Sequence, residues 1–210
     1  LELTKEFGTY IRVEYKETTW GTVVLDLQSG KIDLWPGMSQ TPERMKVIDM
    51  AGPMYELAHC TVNKKGLTGL KTWADYNKPE IRIAVISGTS DEAAAMASAP
   101  KATFLAFKEA PPAHLAVQAG KAEAYSTNII SCLNILQKAP DIFGEVVIPT
   151  PVFSRGSSAG MRRDGDGRFH KWLTKWAIAS RKNGTTTWLL SDAFEKGGLD
   201  LNALPQGFKF

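Results

Sequence analysis

From residue 81 to residue 140 strand and helix signals alternate: an apolar run of strand length, a short break, then a longer helical segment, with no internal sequence repeat. "IRIAVI" (81–86) leads through "SGTS" into "DEAAAMASA", and "ATFLAF" (102–107) leads into "APPAHLAVQAG". "KAEAYST" (121–127) leads into "NIISCLNILQKAP" (128–140). Strands that alternate with helices predict an α/β protein with mostly parallel sheets. The helix starts carry their own signals. Thr89 or Ser90 caps the first helix, and Asp91 and Glu92 fall in its first turn, where negative charge suits the helix dipole. Pro111 and Pro112 stand near the start of the second.

The flanks continue the alternation. "TYIRVEYK" (9–16) has a period of two and predicts a strand. Val23, Val24 and Leu27 lie at helical spacing, and Ser29-Gly30 ends that helix. A short strand is expected over 31–35, broken by Pro36-Gly37. Thr41 is placed as an N-cap and Pro42 as the first residue of a short helix. "MYELAHCTVNKK" (54–65) reads as a long strand or extended crossover, 70–76 as a short helix, and "EVVIPTPVF" (145–153) as a strand ending in prolines. Residues 168–184 form an amphipathic helix with Phe169, Trp172, Leu173 and Trp176 on one face, followed by a last helix (185–198) and an irregular tail (199–210). "LELTKEFG" (1–8) reads as the end of a helix whose start is not present, with Gly8 as its cap.

Composition narrows the function classes. The 210 residues suffice for one large domain or two small lobes, and 43% hydrophobic with 22% charged is ordinary for a globular protein. The net charge of +3 is the difference between 25 basic and 22 acidic residues, with no dense basic run, so nucleic acid is not expected as a partner. No apolar run approaches the roughly 20 residues needed to span a bilayer. Cys60 and Cys132 fit no metal spacing and read as buried free thiols, with a disulfide as the alternative in an oxidising compartment. No metal or cofactor is expected.

The order of motifs resembles the extracellular solute-binding proteins that serve polar amino acid ABC transporters. "LQSGKIDLWPGMSQTPERMKVIDMAGPMYE" carries Leu27, Gly30, Asp33, Gly37, Ser39, Thr41, Arg44, Asp49, Pro53 and Tyr55 in the order of that family's signature stretch. "ISGTSDEAAA", "LAVQAGKAEAYSTN" and the final helix pair resemble its later elements. The resemblance implies a type II periplasmic binding protein fold: two α/β lobes joined by two hinge crossovers, closing on a small ligand. The crossovers would fall near 54–58 and 155–159. Lobe 1 would then comprise 1–55 and 156–210, and lobe 2 would comprise 56–155. It also implies that the signal peptide and the first strand of lobe 1 precede residue 1. The implied setting is periplasmic or extracellular. The implied partners are a small-molecule ligand and an ABC transporter permease, with the binding protein a monomer.

The resemblance gives roles to seven residues. Arg44 would clamp a ligand carboxylate through its planar fork; from the local sequence alone it is a surface arginine. Gly37 would admit the ligand close to the backbone, or simply permit a turn. Ser39 would offer its hydroxyl, or serve as a turn serine. Thr89 and Ser90 would present backbone N–H groups to a carboxylate, a role open to any helix start. Trp20 would pack on the ligand side chain, or in the core, and Trp35 is a weaker candidate for the same wall. Asn128 departs from the pattern, since relatives that bind α-amino acids carry an Asp there to pair with the ammonium. Either another carboxylate supplies that charge, or the ligand has no ammonium. Two other functions share the fold. A cyclohexadienyl dehydratase-like enzyme would need a placed carboxyl acid, and "PVFSRGSSAGMRRD" has no Glu where those relatives carry one. A receptor sensor domain would be flanked by a transmembrane helix. His59, His114 and His170 show no partner in the sequence, and the latter two read as structural.

Overall fold

The computed structural model describes residues 2–198. Its elements run in the order α1 (Glu2–Phe7), α2 (Val23–Gln28), β1 (Leu34–Ser39), α3 (Pro42–Val47), β2 (Asp49–Lys64), α4 (Trp73–Tyr76), β3 (Arg82–Ile86) and α5 (Ser90–Ser98). There follow β4 (Thr103–Phe107), α6 (Ala110–Gln118), β5 (Ala124–Asn128), α7 (Ile129–Lys138), β6 (Phe143–Val147), β7 (Ser154–Met161), α8 (Arg168–Lys182) and α9 (Thr185–Lys196). The tail expected over 199–210 lies outside the described residues.

Two sheets share one strand. β2 is 16 residues long. Its first part, from Asp49 to Ala58, pairs with β7, which pairs in turn with β1. Its last part, from His59 onward, pairs with β5 and β6, and β3 and β4 complete that second sheet. The α/β class is as expected, and the molecule has two lobes. The mostly parallel sheet is not found. Only β3–β4 and β3–β5 are parallel, whereas β1–β7, β2–β7, β2–β5 and β2–β6 are antiparallel. The cause is the double crossover: a strand that passes from one lobe to the other and a strand that returns beside it must run in opposite directions.

The second sheet is covered on both faces. Along β3, Ala84 and Ile86 face a core with Val117 of α6 and Ile129 and Leu133 of α7. Ile83 and Val85 face another with Trp73 and Tyr76 of α4 and Ala95 of α5. A strand buried on both faces reads as a continuous apolar run, as "IRIAVI" does. The first sheet has smaller cores. Val23, Leu27, Met38 and Ile48 form one, and Ala51, Ala159 and Met161 form another, against which Phe169 and Leu173 of α8 pack.

Several expectations are corrected. Residues 9–16 form no strand, and Tyr10, Val13 and Tyr15 are 80%, 66% and 96% exposed. The alternation is there, but no described strand pairs with it, and a strand needs a neighbour for its ladder. The expected 31–35 strand is displaced to Leu34–Ser39 and passes through Pro36-Gly37, with a register shift between Pro36 and Met38. A proline is tolerated there because β1 is an edge strand. The local pattern gives no strand for β7, because "SRGSSAGM" is poor in β-branched and aromatic residues, although the resemblance places a crossover near 155–159. Cys60 and Cys132 are not free thiols but a disulfide, joining β2 to α7 with their Cα atoms 6.8 Å apart. Burial of both sulfurs was foreseeable; their meeting depends on α7 packing against β2.

Candidate functional site

A cavity of about 610 Å³ lies between the lobes, a volume suited to a small metabolite. From the β1 side it is lined by Trp20, Trp35, Gly37 and Ser39, and from the other lobe by Ile86, Thr89, Ser90, Asp91, Tyr125 and Asn128. Six of the seven candidate residues therefore meet at one cavity. The seventh, Arg44, is not among the lining residues. It is buried, at 8% exposed, and its guanidinium donates to the carbonyl of Ser39 (3.1 Å) and to that of Gly88 (3.1 Å) while lying over the Trp20 ring. Burial above all lowers its pKa; Asp91 opposes that fall and Arg155 adds to it.

Each position follows from local structure. Thr41 caps α3 by accepting the Arg44 N–H, and Pro42 opens the helix, which sets Arg44 beside the end of β1. Gly37 has φ +118°, and a Cβ there would stand 3.3 Å from the Tyr55 hydroxyl. Gly88, at φ +81°, meets the other lobe: a Cβ would stand 2.9 Å from the Trp20 carbonyl oxygen. Only glycine permits so close a passage in that conformation. Thr89 caps α5, accepting the Glu92 N–H and donating to the Ile86 carbonyl, so its hydroxyl has no donor left for a ligand. What remains at this helix start is the N–H groups of the first turn. Asn128 caps α7, its Oδ1 accepting the Ser131 N–H at 3.1 Å. Trp20 packs edge-on against Trp35, with ring centroids 5.3 Å apart.

Sequence reasoning missed two features. His59 does have partners: Nδ1 is 3.0 Å from Asp91 Oδ1 and Nε2 is 2.9 Å from Ser126 Oγ. This buried chain of contacts ties the crossover strand β2, the first turn of α5 and β5 together, and it fixes the Asp91 carboxylate at the cavity wall. The signal was absent because the three residues are far apart in sequence. His114 and His170 are structural, as expected. The first packs edge-on against Tyr125 and Phe143, and the second meets the Met50 carbonyl.

The other missed residue is Arg155, which lines the cavity from β7. Its guanidinium lies 4.7 Å over the Phe153 ring. Nη1 makes one long bond, 3.4 Å, to the Gln40 carbonyl, and Nε is buried without a hydrogen-bond partner. Among the described residues it has no ion-pair partner. From the sequence its segment reads as a return crossover in which only a Glu is sought, so the arginine is passed over. Tyr125 also faces this space, its hydroxyl pKa pushed up to about 12, chiefly by burial. Among the described residues no group of His, Cys, Asp and Glu could hold a metal ion.

The comparisons agree with this geometry. The family model for bacterial extracellular solute-binding proteins, family 3, matches residues 2–196. The ABC transporter glutamine-binding protein GlnH of Bacillus subtilis (strain 168) is 27% identical over 122 residues, 58% of this chain and 44% of that protein. The match thus spans less than half the length of that curated relative. The crystal structure of the ancestral amino acid-binding protein AncCDT-1, a precursor of cyclohexadienyl dehydratase, superposes with a TM-score of 0.74 at 31% identity, covering 92% of this chain and 80% of that one. The amino acid ABC transporter substrate-binding protein AbpA from Streptococcus pneumoniae, bound to L-arginine, reaches a TM-score of 0.79 at 20% identity over 92% of this chain and 80% of its own, which speaks for the fold alone. With a family model spanning nearly the whole chain, and a cavity set between two lobes that share their crossover strands, this chain belongs to the bacterial extracellular solute-binding proteins, family 3.

Proposed function

We propose that the chain captures an amino acid or a related small carboxylate between its lobes and passes it to an ABC transporter permease, acting as a monomer and doing no chemistry. The observation that carries this reading is the cavity itself, lined by side chains of both lobes. A ligand there touches both at once, so its binding favours the closed arrangement. A carboxylate is suited to the first-turn N–H groups of α5, where the helix dipole helps. Ser39, Gly37 and Asn128 supply neighbouring polar and open positions, and Trp20 with Trp35 supplies an apolar wall. Arg44 acts as a latch, carried on lobe 1 and bonded to the Gly88 carbonyl of lobe 2. The lobe limits that fit this role are 1–55 with 156–210, and 56–155. The Cys60–Cys132 disulfide supports a periplasmic or extracellular setting, since such bonds persist in oxidising compartments.

The test is thermal unfolding against a panel of amino acids and their 2-oxo acid counterparts. A ligand at 100 times its dissociation constant adds about 2.7 kcal/mol of stability, a clear rise in Tm. The same preparations are incubated with prephenate and arogenate. Stabilisation without turnover is the expected result. Turnover of either compound would replace the binder with a dehydratase, and a Tm unmoved across the whole panel would sink the carboxylate reading.

A further inference from the structure

We propose that the ligand is a small dicarboxylate and that Arg155 receives its second carboxylate. This rests on the binding reading above and deepens it. The donors of the cavity wall carry the argument. Arg155 is a guanidinium at a cavity lined by both lobes, with a buried Nε that has no partner and only a 3.4 Å bond from Nη1. Nε is closed off from the cavity, but Nη2 makes no hydrogen bond among the described residues and is not buried, so it can donate to a carboxylate oxygen held there. The Phe153 ring beneath the guanidinium holds its plane, so the fork is already set for two parallel hydrogen bonds. Arg44 stands near enough to feel the charge of Arg155. Two cations beside one cavity, the second with no acidic partner, favour an anion between the lobes.

Asn128 points the same way. Its Oδ1 already accepts the Ser131 N–H, and its amide nitrogen, which makes no hydrogen bond among the described residues, is the free donor it offers a ligand. A free N–H group suits a carboxylate oxygen, and a neutral amide brings no charge to pair with an ammonium. The cavity carboxylates are Asp91, bound on one oxygen by His59, and the exposed Glu109, which stands next to the exposed Lys108. Asp91 can therefore serve one ammonium at most, enough for an acidic amino acid. A side-chain cation has no place beside Arg155. The lysine and arginine named as ligands of two structural relatives carry the opposite side-chain charge.

Isothermal titration of the purified chain with succinate, 2-oxoglutarate, L-glutamate and L-aspartate, against L-glutamine, L-lysine and L-arginine, tests this. At least one diacid is expected to bind ten or more times tighter than every other compound. Arg155→Gln is expected to weaken that diacid about a hundredfold, as for a truncated buried charge pair, and Arg155→Lys to weaken it less. Unliganded melting of both variants shows whether they fold; if Arg155→Gln does not, Arg155→Lys carries the comparison, because it keeps the charge and loses the fork. Glutamine, lysine or arginine binding tightest would overturn the inference and leave the carboxylate-binding reading standing. So would a diacid affinity indifferent to both substitutions. Binding of nothing in the panel would overturn both.

Discussion

Strand β3 has four of its five residues buried, and strand β1 has one of six. The difference extends to the lobes around them. The lobe of β3 has helices against both faces of its sheet and the Cys60–Cys132 bond across one of them. The lobe of β1 has a three-strand sheet with β1 at its edge, two small cores, and an alternating stretch, Tyr10 to Tyr15, that is exposed and pairs with no described strand. Burial of apolar surface is the main favourable term in folding. The first lobe described has enough of it to order its own side of the cavity. The second depends more on β2 and β7, the strands it shares with its neighbour. A ligand that bridges the two therefore stabilises the weaker lobe by joining it to the stronger.

The largest effect expected from this contrast is loss of the disulfide. It closes a loop of 72 residues, and replacing both cysteines by serine removes about 4 kcal/mol. Hydrogen exchange read segment by segment would show the loss in β3 and β5 while α8 keeps its protection. Equal loss in α8 would break the comparison, because the lobes would then unfold as one unit.

A smaller pair of effects sharpens it. Ile83 is fully buried in the sheet, so Ile83→Ala costs about 3 kcal/mol. Tyr15 is 96% exposed, so Tyr15→Ser stays within about 0.5 kcal/mol. Urea unfolding of the two variants gives both numbers. A cost above about 1 kcal/mol for Tyr15→Ser would mean that 9–16 packs against something in solution.

The same contrast explains what was legible in the sequence. In the β3 lobe, strands and helices follow their local patterns closely, because each apolar run finds a face to cover. The order of residues alone narrows the cap of α5 to Thr89 or Ser90 and sets Asn128 at the start of α7. In the β1 lobe, the period-two pattern of 9–16 gave a strand that has no neighbour, and "SRGSSAGM" concealed one that has two. Pairing is decided by partners, and local residues carry no record of them. The cavity shows the same limit. The six candidates that line the cavity come from the family resemblance, whereas Arg155 and the His59–Asp91–Ser126 contacts arise from tertiary pairing. Arg44 was correctly set beside the β1 turn, yet its fork is bonded to two carbonyls, one of them across the lobes.

The smallest effect concerns acid. His114 packs against Tyr125 and Phe143 in the β3 lobe, its Nε2 buried without a partner, and burial lowers its pKa from 6.5. A histidine with a depressed folded pKa contributes stability in full above its unfolded value. That contribution declines as pH falls below 6.5 toward the folded pKa, because the unfolded chain takes the proton first. In the β1 lobe, Asp26 is held below 3.8, first by the Thr18 hydroxyl and then by Lys31, so its contribution is lost only at much lower pH. Mild acid should therefore loosen the β3 lobe while Asp26 still holds its place. Melting from pH 7.5 to pH 5.0, with His114→Leu as the control, isolates this effect. Wild type should lose Tm faster than the variant as pH drops, and the excess should sit in the exchange of α6 and β5. Parallel curves for the two proteins would show that His114 titrates as freely when folded as when unfolded, and that the stronger lobe has no acid-sensitive point at this helix.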